Sequence, residues 1–200
     1  MRVRALLLAA ALLAAAAHAA GPAEERFREA NELVRAGDYP RAIALYGEVA
    51  RSGSESATLY WNWAQAATAR GAHGEALWAL LRARELDPSD RAVVRDVERL
   101  RGALNLDPAE IAPEPLAVAG RFSRRFRLDL VAVVRRGAPL FDAASPSANT
   151  AGTLREGEVV PVLDVSGDWL QVEDNAGARG WAHEADVRRL DVAPATSSQG

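Results

Sequence analysis

The sequence predicts an α + β protein with its helices and strands in separate domains: a short α-solenoid followed by a small β-barrel. Three observations carry this. Gly37 and Gly71 lie 34 residues apart, and their surroundings echo at that interval: Ala30 with Ala64, Ala42 with Ala76, Tyr46 with Leu80, Val49 with Ala83. Apolar residues up to Leu104 recur at helical spacing, whereas from Val131 onward they alternate with the period of a strand. Between the two regions, Asn105 to Pro115 holds Pro108, Pro113 and Pro115 among small and acidic residues, a composition that interrupts regular structure.

The chain opens Met1-Arg-Val-Arg, runs apolar from Ala5 to Ala17 and then offers Ala17-His18-Ala19, the order of a secretory signal peptide. Cleavage is expected near Ala19, leaving a periplasmic or secreted protein. A transmembrane anchor would need roughly 20 apolar residues, more than this run supplies. With no Cys in the chain, disulfides and an acylated-cysteine anchor are both excluded. All 24 basic side chains are Arg, which rules out a catalytic lysine. Loss of Arg2 and Arg4 with the leader sets 22 basic against 27 acidic residues and moves the net charge from −3 to −5, a poor balance for general nucleic-acid binding. With no Cys or Lys, and only His73 and His183 left after cleavage, the usual nucleophiles and nitrogen or sulfur metal ligands are nearly absent, so no enzyme activity, cofactor or metal is expected.

The first helix is expected from Glu24 to Ala36, with Phe27, Ala30, Leu33 and Val34 as its buried stripe; Gly37-Asp38 breaks it. A second carries Ile43, Leu45, Tyr46 and Val49 and ends at Ser52-Gly53-Ser54, with Tyr39 at the corner before it. The next unit reads Thr58-Leu-Tyr-Trp-Asn-Trp-Ala-Gln-Ala-Ala, turns at Gly71, and continues through Ala76, Leu77, Leu80 and Ala83 to Leu86-Asp87-Pro88. Small residues at Ala64, Ala76 and Ala83 allow helix backbones to approach, while Tyr60 and Trp63 fill the gaps. After Pro88, Ser89-Asp90 offers an N-cap for a helix whose face carries Val93, Val97, Leu100 and Leu104.

Residues 24–104 thus resemble two tetratricopeptide repeats with a capping helix. Such arrays usually need about three repeats, so this one requires support from the C-terminal domain or from a partner. The resemblance implies a partner-binding groove lined by the first helix of each unit: Phe27, Arg28, Asn31, Val34 and Arg35, with Trp61, Asn62, Gln65 and Thr68 beside them. Asn31 and Asn62 fall where the family's carboxylate clamp keeps two asparagines, but Phe27 and Asp96 stand where it keeps basic residues.

The linker, 105–128, contains Arg121-Phe-Ser-Arg-Arg-Phe-Arg. Arg121, Arg124, Arg125 and Arg127 could meet anionic lipid at a membrane surface; the alternative is a short helix packing its Phe face on a neighbouring domain.

From residue 129 to 191 short β-rich segments, Val131-Ala-Val-Val, Val159-Val-Pro-Val-Leu-Asp-Val and Trp169-Leu-Gln-Val-Glu, alternate with turn clusters at Arg155-Glu-Gly-Glu, Ser166-Gly-Asp and Asp174-Asn-Ala-Gly. With the polar loop through Ser145-Pro-Ser and the final Gly180-Trp-Ala, their order resembles a bacterial SH3 domain. That resemblance implies protein or peptidoglycan ligands and a candidate face of Phe141, Asp142, Trp169 and His183. Trp169 and Trp181 also suit a half-buried core role, and His183 an ordinary exposed imidazole. The tail, 192–200, has the composition of a disordered segment.

As a whole the chain resembles the BatE-like aerotolerance envelope proteins. Those commonly place membrane segments between the two modules, where this chain has Asp129 and the arginine cluster. The resemblances imply an exported, non-enzymatic adaptor binding a protein or peptide in the helical groove and a protein or cell-wall ligand on the barrel. Alternatives are an accessory component of a cell-wall-modifying enzyme system, and a self-assembling part whose barrel packs on its own solenoid.

Overall fold

The computed structural model describes residues 21–106 and 131–190. The expected signal peptide, most of the linker with its arginine cluster, and the tail from Val192 lie outside the described residues. The helices come first: α1 (Pro22–Arg35), α2 (Tyr39–Arg51), α3 (Ala57–Ala69), α4 (His73–Leu86) and α5 (Arg91–Leu104).

The two glycines mark the same joint. Gly37 and Gly71 have φ of 79° and 83°, a left-handed conformation that costs glycine little. At the first joint Gly37 N donates to Val34 O and Asp38 N to Leu33 O; at the second, Gly71 N donates to Thr68 O and Ala72 N to Ala67 O. These paired bonds satisfy carbonyls that the helix end leaves open. The 34-residue echo is therefore a repeated helix ending. Asp38, Ser56 and Asp90 cap the starts of α2, α3 and α5 by accepting backbone N–H bonds inside the next turn. Asn105 closes α5 in a left-handed conformation, where the linker was expected to begin, and Leu106 is buried against the core.

The strands are β1 (Val131–Val134), β2 (Ala138–Phe141), β3 (Thr150–Leu154), β4 (Val159–Ser166), β5 (Trp169–Glu173), β6 (Arg179–His183) and β7 (Val187–Arg189). They form an antiparallel sheet in the order β3-β2-β6-β5-β4-β1-β7. Its core is Ala132, Val134, Leu140, Leu154, Val160, Val162, Leu170, Val172, Ala182 and Val187. In β1, Ala132 and Val134 belong to that core, but Val133 joins the helical core together with Val159 and Leu190. A strand covered on both faces reads as an unbroken apolar run, which is what this segment is.

Helices and strands are segregated along the chain, yet they pack on one another through α4. Gly74 to Ala83 is buried throughout. Trp78 Nε1 donates to Arg189 O at 2.9 Å, Arg82 Nη1 to Leu190 O at 2.7 Å, and Gly74 N to Glu156 Oε1 at 2.8 Å. Buried Glu75 accepts from Trp63 Nε1 and from Arg135 Nη2, each at 3.1 Å, joining α3, α4 and the turn after β1. Arg82 also reaches Glu55 at 3.0 Å, and Tyr60 donates to the same carboxylate. The five helices thus lean on the sheet through α4.

Candidate functional site

Along β5 and β6 the residues alternate. Leu170, Val172, Gly180 and Ala182 are buried, while Trp169, Gln171, Trp181 and His183 are half-buried on the outer face. Cross-strand pairing sets Trp169 opposite His183 and Phe141 opposite Trp181. The Phe141 and Trp169 rings meet edge-on with centroids 5.6 Å apart, and Trp169 and His183 do so at 5.2 Å. Phe141, Trp169 and His183, three of the expected face residues, therefore form one row, and Trp181 lies on the same face. Neither Trp169 nor Trp181 has an acceptor for its indole N–H among the described residues, so both donors remain available to a ligand.

Asp142 has a different place. Its two carboxylate oxygens accept Asn149 N at 3.0 Å and Asn149 Nδ2 at 3.1 Å, closing the 143–149 loop beside Phe141. At the other end of the row His183 Nδ1 accepts Ala185 N at 3.1 Å, which leaves Nε2 to face a ligand. Half-buried rings with unused donors on a rigid sheet suit a ligand that stacks and accepts hydrogen bonds, such as a peptide or a sugar–peptide polymer.

The helical candidates lie on α1, α3 and α5. Asn31 and Asn62 are together, with Asn62 Nδ2 donating to Asn31 Oδ1 at 3.0 Å and Tyr46 OH to the same oxygen at 2.6 Å. Trp61 Nε1 donates to Asp96 Oδ2 at 2.9 Å, and Gln65 Nε2 to the same oxygen at 3.3 Å. The sequence places these groups near one another, and the structure shows them tying α1 to α3 and α3 to α5. Arg28 is exposed and pairs with Glu25 at 3.8 Å; Arg35 is exposed near Tyr46. Thr68 OH donates to Ala64 O at 2.8 Å, and Val34 is half-buried against the core. Phe27 tilts against Tyr46 with ring centroids 6.0 Å apart and lines a recess of about 360 Å³ with Val49 and Leu59.

Burial pushes the Tyr46 and Tyr60 phenols up to about 12; for Tyr60, donation to Glu55 adds to this. Both are structural. Among the described residues no three His, Cys, Asp or Glu side chains gather as a metal site requires, and no helix is long and apolar enough to cross a membrane.

Residues 134–188 match the bacterial SH3 domain family, from the end of β1 to the middle of β7. The aromatic row lies wholly inside that match. No curated protein matches the chain. Trp78, Glu75, Gly74 and Arg188, which hold helices and strands together, were not anticipated. The signal for them was the run Ala76-Leu-Trp-Ala-Leu-Leu, too apolar for a helix with only one covered side.

Proposed function

We propose that this protein is an exported, non-enzymatic adaptor whose bacterial SH3 domain binds a protein or cell-wall ligand on the row Phe141, Trp169, Trp181 and His183. The observation that supports this most is the edge-on contact of three half-buried rings, with two indole donors unused, inside the matched domain. In this reading the helices are a tetratricopeptide array that offers a second surface along α1, α3 and α5. Asp96 stands where a carboxylate clamp would need a cation and is itself paired with Arg99 at 2.9 Å, so that surface is not a carboxylate clamp and would take a protein partner in another way. The adaptor acts outside the cytoplasm, after removal of its leader.

Sedimentation of the mature protein with purified peptidoglycan, paired with cross-linking in envelope extract, tests the barrel face. Trp169→Ala should weaken retention about tenfold, as loss of one aromatic anchor does. Equal retention of wild type and variant on every ligand would remove the aromatic row from the function. Mass spectrometry of the exported protein should find the N-terminus near Ala20; an intact Met1 would contradict export by cleavage.

A further inference from the structure

A pocket of about 570 Å³ opens between α2 and the strands, away from the first-helix surface. Ile43, Gly47, Trp63, Leu170 and Val187 supply its buried apolar lining, and Ala44 lies exposed on its α2 side. Arg188 enters it from β7. The guanidinium lies 3.7 Å from the centre of the Trp78 ring and 5.0 Å from that of Trp63, so its face is held by two indoles. Among the described residues no carboxylate pairs with it. Glu75, the nearby buried acid, is already taken by Arg135 and Trp63. The other acids lining the pocket, Asp168, Glu184 and Glu48, are exposed, and Glu48 pairs with Arg26 at 3.4 Å.

We propose that this pocket is a second binding site, which takes a short peptide by its free C-terminal carboxylate, with Arg188 as the anchor. A planar guanidinium pinned by stacking keeps its N–H edge free and oriented, the geometry for bidentate pairing with a carboxylate. The volume suits a small ligand and not an extended polymer. The lining sets Arg51, Arg135, Arg188 and Arg189 against Glu48, Asp168 and Glu184, a single surplus positive charge that matches one carboxylate, and the exposed acids would meet the amine or amide groups of a peptide. Burial, followed by the like charge of Arg135, lowers the Arg188 pKa to about 10. The cation thus carries a desolvation cost that an incoming anion offsets. The site does not depend on the aromatic row, although His183 borders it.

The test uses trialanine, its C-terminal amide and inorganic phosphate as probes, followed by NMR of the five tryptophan indole N–H signals in the full mature chain. Trialanine should shift the Trp63 and Trp78 signals saturably, the amide should not, and Trp169 should stay in place. Arg188→Gln and, separately, Ala44→Phe should each weaken trialanine at least about tenfold. Ala44→Phe fills the pocket from an exposed helix position, so it remains informative if Arg188→Gln loosens the fold. Equal shifts by acid and amide, no saturable shift, wild-type affinity in Ala44→Phe, or binding of phosphate but not trialanine would each overturn the proposal.

Discussion

Gly74 has no space for a side chain. A Cβ there would lie 2.3 Å from Val134 O and 2.6 Å from Arg135 O, both backbone atoms that cannot turn aside. Gly74→Ala should therefore destabilise the protein by about 1–3 kcal/mol in urea unfolding, the usual cost of overpacking. Gly102, within α5 and with open space around it, gives the contrast: Gly102→Ala should gain about 0.5–1 kcal/mol. Equal effects at the two sites would contradict the close approach of α4 to β1. Tyr46 and Tyr60 make a pH-dependent prediction. Their folded pKa of about 12 lies above the unfolded value near 10, so the neutral phenol is favoured by folding. That stability is fully present below pH 10 and is lost as pH rises from 10 towards 12. In a Tyr39→Phe variant, ultraviolet absorbance should show little tyrosinate from the folded protein at pH 10.5. Half-ionisation there would contradict the burial of both rings.

At the scale of elements, α4 decides how the chain is built. Arg82 projects from it to Glu55 and to the Leu190 carbonyl, with only 7% of its surface exposed. Arg82→Ala should cost about 3 kcal/mol, because Glu55 loses its partner cation and Leu190 O its donor. Glu55→Gln keeps a hydrogen-bonding group and should cost less, about 1–2 kcal/mol; chemical denaturation compares the two. The helices were legible in the sequence because their stripes, glycine endings and Asp or Ser caps are local signals. β1 and β4 were legible through their valine-rich runs and β5 through its alternation between turn clusters. β2 was not, since Pro139 disguises Ala138–Phe141, and β7 is only three residues long. The second buried face of α4 was also missed, because repeat spacing describes how helices meet one another and carries no information about a sheet that covers them.

At the scale of the whole molecule, the sheet divides its outer surface between two tasks. The β1–β4–β7 half closes the helical core with Val133, Val159 and Leu190, while the β2–β6–β5 half presents the aromatic row. Phe141, Trp169 and His183 came to this face only through the resemblance to bacterial SH3 domains, whereas Trp181 read as half-buried core, because a strand pattern does not say which aromatics of a small domain stay outside. The Arg188 pocket could not be anticipated, since an arginine in a polar strand end reads as solvated until the tryptophans beneath it are seen. The shared core makes helices and barrel one cooperative body through α4. Native-state hydrogen exchange tests it most directly, on the amides of Ala79 to Ala83 in α4 and on Val134, whose N–H donates to Glu158 O. The shared core predicts equal opening free energies with the same denaturant dependence. Opening of α4 while Val134 stays protected, or the reverse, would contradict it.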